Sequence, residues 1–224
     1  MAKNKLRRFE EMKNMTHVFE PSIDEIQRNN SELKKNWFQL FNNNNPIVLE
    51  LGCGKGEYTI ALAKKYPTKN FIGVDIKGAR MWVGAKQAVE SQLTNVAFLR
   101  TKVDFIDAFF EKNQIEEIWL TFSDPQPDKP NKRLTSPFFI SKYRSILKPR
   151  GIIHLKTDSD LLFESTLNEI EIHKYKELLR SSNVYLDNSK LPKDLKEILH
   201  VQTHYEKLFS AKGHTIKYCQ FSID

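Results

Sequence analysis

The chain reads as an α/β domain in which a sheet is wound by crossover helices. Two observations predict this: short apolar runs rich in β-branched and aromatic residues alternate with stretches of helical spacing, and a glycine-rich turn sits between the first run and the first helix, "LELGCGKGEYT". A third adds direction, since an acidic residue stands at or just beyond the end of four runs: Glu50, Asp75, Asp124 and Asp158. Strands are predicted at Ile47–Leu51 ("IVLEL"), Asn70–Asp75 ("NFIGVD"), Val96–Arg100 ("VAFLR"), Glu117–Phe122 ("EIWLTF") and Gly151–Thr157 ("GIIHLKT"). Helices are predicted over Glu57–Tyr66, Ala79–Ser91, Pro137–Leu147 and Ser159–Leu179, where apolar residues recur at helical spacing and the pattern stops near Pro, Asn or Gly. The polar run "FNNNNP" ahead of the first strand reads as a linker, which divides the chain into a basic N-terminal extension, residues 1–41, and a domain over 42–224. No internal repeat is present in the sequence.

At 224 residues and 26.2 kDa the chain is long enough to bury one full core. No run approaches the roughly 18 apolar residues of a membrane span, and the opening "MAKNKLRRFEEMKNM" lacks a secretory apolar segment, so a cytoplasmic protein without membrane contact is expected. Cys53 and Cys219 are far apart and the histidines are scattered, a pattern that suggests neither a disulfide framework nor a metal site. A net charge of +7 and a pI near 9.2 favour an anionic partner such as nucleic acid. The distribution carries more than the total: Lys3, Lys5, Arg7, Arg8 and Lys13 crowd the N-terminus, and Lys129, Lys132 and Arg133 follow the loop "SDPQPDKPNKRL".

The turn after the first strand places Gly52, Gly54 and Gly56 between Glu50 and a helix. Glycines there allow a tight turn and close approach of a ligand, but the spacing is not that of a dinucleotide fingerprint, and an acid directly before the turn repels a pyrophosphate. It suits a cationic ligand, such as a methionine sulfonium with its α-amino group. Asp75, ending the second strand, stands where a carboxylate accepts both hydroxyls of a ribose. Its plainer role is to cap the helix that follows. Taken together these residues resemble an S-adenosylmethionine-dependent methyltransferase of the Rossmann-like class.

Further segments narrow the resemblance. "ELGCGKGEYT", "FIGVDIKGAR", "FSDPQPDKPNKRL", "HLKTDS" and "THYEKLFSAKG", in this order, resemble the bacterial tRNA (guanine-N7-)-methyltransferase family across residues 45–220. The resemblance implies a class I fold with a mostly parallel seven-stranded sheet and helices on both faces, S-adenosyl-L-methionine as cofactor without a metal, and tRNA as partner, in a monomer or homodimer. Position by position it implies cofactor contacts at Glu50, Gly52, Gly54, Asp75 and Asp124, with Asp124 as the catalytic acid. Asp158 and the stretch Thr203, His204, Tyr205 and Glu206 are implied as substrate contacts. Two positions depart from the family pattern. Lys102 stands where an Asp or Asn usually meets the adenine, with Asp104 two residues on, and Asp128 stands where a Lys usually meets the substrate, with Lys129 beside it.

The chemistry of the loop is consistent with that assignment. Guanine N7 offers a lone pair, so methyl transfer needs placement and electrostatics more than a base. The prolines after Asp124 stiffen the loop, and Lys129, Lys132 and Arg133 are expected to meet phosphates. Plainer roles are expected elsewhere: His154, Trp37, Trp82 and Trp119 as core, Cys53 as a small residue at the turn, Lys156 as a flank of its strand end. Two other readings stay open at this point, a methyltransferase for a small molecule or protein and an inactive RNA-binding relative. The presence of Asp124, Asp158 and Glu206 argues against the latter.

Overall fold

The computed structural model describes residues 2–27, 32–187, 191–203, 206 and 213–224. Helix α1 (Ala2–Lys13), the short strand β1 (Val18–Phe19) and helices α2 (Ile23–Gln27) and α3 (Leu33–Phe41) come first. The alternation that follows is β2 (Ile47–Leu51), α4 (Glu57–Lys65), β3 (Asn70–Val74), α5 (Gly78–Glu90) and β4 (Val96–Leu99). A 3-10 turn at Val103–Ala108 leads to β5 (Ile115–Thr121), and a second at Pro130–Lys132 leads to α6 (Pro137–Ile146), β6 (Leu147–Thr157) and α7 (Asp160–Ile172). β7 (Lys176–Ser181), α8 (Lys193–Leu199) and β8 (Lys217–Ser222) complete the described elements.

One sheet runs in the order β1-β4-β3-β2-β5-β6-β8-β7. β8 is antiparallel to both neighbours and the other pairings are parallel. The sheet therefore has eight strands where seven are expected, because the two-residue β1 adds an edge. Side chains along β2 divide between two apolar layers, Ile47, Leu49 and Leu51 on one face and Val48 on the other, as the two-residue period of a strand covered on both faces requires. Phe71 and Ile72 of β3 split the same way. No helix among the described residues is long and apolar enough to cross a membrane.

Three expectations are corrected. The helix expected to run to Leu179 stops at Ile172: Lys174 takes a left-handed φ of 54°, and the chain returns as β7. β7 is an edge strand whose Lys176, Glu177 and Leu178 are exposed, so it carries no alternation by which to tell it from helix. Strands β3 and β4 each end one residue early; at β3 the carboxylate of Asp75 turns back onto the glycine turn and the amide of Lys77. The segment ahead of the Asn run does not stand apart from the domain. Val18 and Phe19 pair with Phe98 and Leu99, and Arg8 donates to the Ala79 carbonyl at 2.9 Å with its guanidinium 4.6 Å from the Trp82 ring.

Trp37 anchors this segment most firmly. It is fully buried, stacks on Phe110 at 5.4 Å between centroids, and donates its indole N–H to the Phe109 carbonyl at 2.9 Å. Trp37→Ala is expected to destabilise the whole domain by about 3–5 kcal/mol, the usual cost of truncating a buried aromatic. Urea unfolding followed by far-UV circular dichroism checks this; a shift below about 1 kcal/mol would show that residues ahead of Asn42 fold independently of the sheet.

Candidate active site

The sheet order reverses between β2 and β5: the chain runs outward from β2 through β3 to β4, then returns to β5 on the other side. Carboxyl-terminal loops diverge at such a point and leave a crevice. A cleft of about 940 Å³ lies here, lined among others by Glu50, the turn Gly52–Lys55, Asp75, Asp124, Asp158 and Thr203.

The glycine turn is shaped by backbone demands. Gly52 and Gly54 have φ of +78° and +56°, and a Cβ built on either would meet nothing within 4 Å, so their open side faces space in which a ligand can approach the backbone. Gly56 is close-packed instead, since a Cβ there would lie 2.7 Å from the Phe98 ring and 3.2 Å from the Gly84 Cα of α5. Asp75 locks the turn, Oδ2 accepting the Gly54 amide at 2.9 Å and Oδ1 the Lys77 amide at 2.7 Å. Asp75 therefore does not cap α5, whose N-cap is Lys77 without a side-chain cap; it braces the turn instead, and it lines the cleft.

Glu50 lies at the floor with 3% of its surface exposed. Its Oε2 accepts the Thr59 amide at 2.7 Å and the Thr59 hydroxyl, and its Oε1 accepts the Thr121 hydroxyl at 2.6 Å. Burial pushes the carboxyl up to about 7 against the pull of these bonds, and the nearby Asp75 charge adds to the rise. The result is an acid that shares its proton with water near pH 7 and that an entering cation would ionise further.

Asp124 sits on a loop that leaves β5 abruptly. Phe122 and Gln126 adopt left-handed φ of 50° and 45°, a conformation that costs a non-glycine residue about 1–2 kcal/mol. Asp124 is exposed, and among the described residues its one partner is the Gln126 amide, which donates to Oδ1 at 3.0 Å. Arg133, expected to meet phosphate, is instead the brace of this loop: it is 9% exposed and donates to the Pro125 carbonyl at 3.0 Å and the Ser165 hydroxyl at 2.8 Å. The hydroxyl of Ser123 faces this region buried and without a hydrogen-bond partner among the described residues.

Not every expected residue reaches the cleft. Lys102 is exposed at the start of the 3-10 turn, and Asp104 is tied to Lys132 by a 2.9 Å ion pair, so neither lines it. Asp128 and Lys129 are exposed on the outer limb of the loop, because the chain after Gln126 turns away towards Pro130–Lys132. Glu206 is fully buried beside Lys156 and lies behind the wall. His204 and Tyr205 lie outside the described residues. Sequence reading missed Thr59 and Thr121, which hold Glu50, and Lys55, Lys77 and Arg80 on the rim. Thr121 stands inside the conspicuous "TFSDPQP", but only the parallel pairing of β2 with β5 brings it to Glu50.

This fold with this cleft defines a Rossmann-like, class I methyltransferase. A family model described as a putative methyltransferase matches residues 44–219. The chain is 46% identical over 224 residues to a tRNA (guanine-N(7)-)-methyltransferase of Bacteroides thetaiotaomicron, covering 100% of this chain and 87% of that one. To the enzyme of the same name from Christiangramia forsetii it is 46% identical over 225 residues, covering 99% of each. Among solved structures, the 16S rRNA methyltransferase KamB matches with a TM-score of 0.64 at 13% identity, over 85% of this chain and 93% of that one, a likeness of fold. The chain belongs to the tRNA (guanine-N(7)-)-methyltransferase family.

The Glu50 carboxyl has a consequence for stability. Its folded value lies above the ordinary 4.5, so between pH 4.5 and about 7 the folded chain keeps a proton the unfolded chain has lost, and stability from this group falls as pH rises. In ligand-free protein the unfolding free energy of wild type relative to Glu50→Gln, measured by urea unfolding, is expected to decline across this window by at most about 1.4 kcal/mol per pH unit. Parallel curves for the two proteins would place the ordinary carboxylate value at Glu50.

Proposed function

We propose that the protein transfers a methyl group from S-adenosyl-L-methionine to N7 of a guanine in the variable loop of tRNA. The observation that carries this reading is that a single cleft joins a buried acid, a glycine turn with an open side and a second acid at the next strand to an exposed Asp124 on a strained loop. The first three suit the cofactor. Glu50 is placed for its cationic amino-acid end, the open backbone of Gly52 and Gly54 for close approach, and Asp75 for the ribose hydroxyls. Bound there, the cofactor supplies an electrophilic methyl group on a sulfonium.

The chain's own part is placement and charge. Guanine N7 already holds a lone pair, so no side chain need remove a proton to create the nucleophile. As N7 acquires the methyl group, the purine ring becomes positive. Asp124, held by the Gln126 amide through one oxygen, has the other for the N–H edge of the base, and its charge opposes the charge that develops on the ring. Lys55, Lys77, Arg80 and Lys132 on the rim, with the net charge of +7, supply the electrostatic attraction that tRNA phosphates need.

Three measurements test the assignments. Incubation with S-adenosylmethionine and unmodified tRNA, followed by nucleoside analysis, is expected to yield 7-methylguanosine. Asp124→Asn is expected to slow single-turnover methylation at saturating tRNA and cofactor by on the order of 10²-fold, the usual effect of deleting one preorganised electrostatic partner. A defect cured by more tRNA would assign Asp124 to binding instead. Asp75→Ala is expected to weaken cofactor binding by calorimetry while leaving tRNA affinity near wild type, and unchanged cofactor affinity would reject its role.

A further inference from the structure

Lys156 lies near the end of β6, two residues before Asp158, and its side chain is fully buried. Its carbonyl accepts the Phe122 amide at 2.8 Å, just past the end of β5, and so holds the first residue of the Asp124 loop. Its ammonium donates to Glu206 Oε2 at 2.7 Å and to the Val201 carbonyl at 3.0 Å. The same nitrogen lies 5.1 Å from the Tyr58 ring centroid and 5.4 Å from that of Phe122. Glu206 is equally enclosed: Oε1 accepts the Tyr185 hydroxyl at 2.5 Å, and its amide donates to the Thr203 hydroxyl at 3.1 Å. One ammonium thus touches what stands behind three walls of the cleft, at Phe122, at Tyr58 and, through Val201 and Glu206, at Thr203.

A buried ion pair is a weak source of stability, because desolvation of both charges offsets most of their attraction and an apolar pair of similar volume serves as well. What the pair supplies here is geometry: its hydrogen bonds are directional and reach the Val201 carbonyl and Tyr185, while the same ammonium lies against the Phe122 ring that opens the loop after β5. Resting on the methyl-transfer reading above, we propose that Lys156 is a positioning residue for that reaction: paired with Glu206, it sets the Asp124 loop and the Thr203 segment relative to each other. In this role Glu206 acts through Lys156.

Titration separates this role from a merely structural one. Burial lowers the Lys156 ammonium from 10.5 to about 8, with Glu206 resisting. Among the described residues the titratable groups around the pair are Tyr58, whose hydroxyl donates to the Ile198 carbonyl, Tyr185, and His200, whose ring lies 5.1 Å from that of Tyr185; burial raises both tyrosines, Tyr185 to about 12, so neither tyrosine changes charge near 8. Between about 8 and 10.5 the unfolded chain holds more protons than the folded one, so the contribution of Lys156 to stability rises with pH while its ion pair is lost. Turnover and melting temperature are therefore expected to part company above pH 8.

The test is single-turnover formation of 7-methylguanosine at saturating tRNA and cofactor from about pH 6 to about pH 10, with melting temperature at each pH. Wild type is expected to lose rate through about pH 8 without a matching fall in melting temperature. In Glu206→Gln that limb is expected at lower pH, because the carboxylate keeps the ammonium charged. A wild-type rate flat through this range, or a limb unmoved in Glu206→Gln, overturns the proposal. Lys156→Met/Glu206→Leu, which replaces the pair by apolar side chains, is expected to melt like wild type yet turn over at least about tenfold more slowly. A wild-type rate in that variant also overturns it, and if the variant does not fold, the wild-type comparison of rate with melting decides. Wild-type protein that binds S-adenosylmethionine but forms no 7-methylguanosine at any pH would fail the methyl-transfer reading itself, a result distinct from these.

Discussion

The parallel pairing of β2 with β5 is the constraint on which the site depends. These strands are far apart in sequence, and between them the chain builds β3 and β4 outward before returning. Only because the return lies directly beside β2 do two sets of loops diverge from one line and leave room between them. The pairing also fixes Glu50 opposite Trp119, two residues before Thr121, so the Thr121 hydroxyl reaches the acid from the neighbouring strand. Were β5 paired elsewhere, the glycine turn would keep its shape, but Glu50 would lose a hydrogen-bond donor and Asp124 would face nothing.

Two buried ionisable groups, on the strands that flank β5, show how the molecule handles charge at the edge of this cleft. Glu50 on β2 is raised towards neutrality by burial, and Lys156 on β6 is lowered by it, each resisted by hydrogen-bonding partners. The difference lies in what each faces. Glu50 opens onto the cleft and has hydroxyl and amide donors around it, so a ligand can complete its charge balance. Lys156 is sealed off with a carboxylate of its own and aromatic rings on two sides, so its balance is complete within the protein. One arrangement suits binding and the other suits holding, although both are charged residues at the carboxyl end of a parallel strand.

Positive charge near the site is sorted in the same way. Among the three basic residues that follow the Asp124 loop, Arg133 is spent inside the protein on the Pro125 carbonyl and the Ser165 hydroxyl, because its planar fork can satisfy two acceptors at once. Lys132 reaches the rim while paired with Asp104, and Lys129 points outward. The rim cations on the other side, Lys77 and Arg80, come from the start of α5, whose position is set by close packing of Gly84 against the Lys55 carbonyl. A cluster of basic letters in sequence thus separates, once folded, into a brace, a paired rim residue and a solvent-facing one.

Local pattern determined much of this protein. Alternation of strand and helix spacing predicted β2 to β6 and α4 to α6 to within a few residues, since those elements are covered on both faces and their apolar residues are dense. The glycine turn, Asp75 and the "SDPQP" loop were legible because tight turns and left-handed backbone restrict residue type locally. What the letters did not determine were the elements stabilised by distant partners. β7 and β8 depend on antiparallel pairing beside β6, β1 on two residues of pairing with β4, and the place of Trp37 on a pocket made by Phe109 and Phe110. The burial and pairing of Lys156 and Glu206 were hidden for the same reason. A lysine before "TD" and a glutamate after "THY" look like surface residues until the fold removes both from water and leaves each as the other's counter-charge, an energetic fact that belongs to the contact and to neither residue alone.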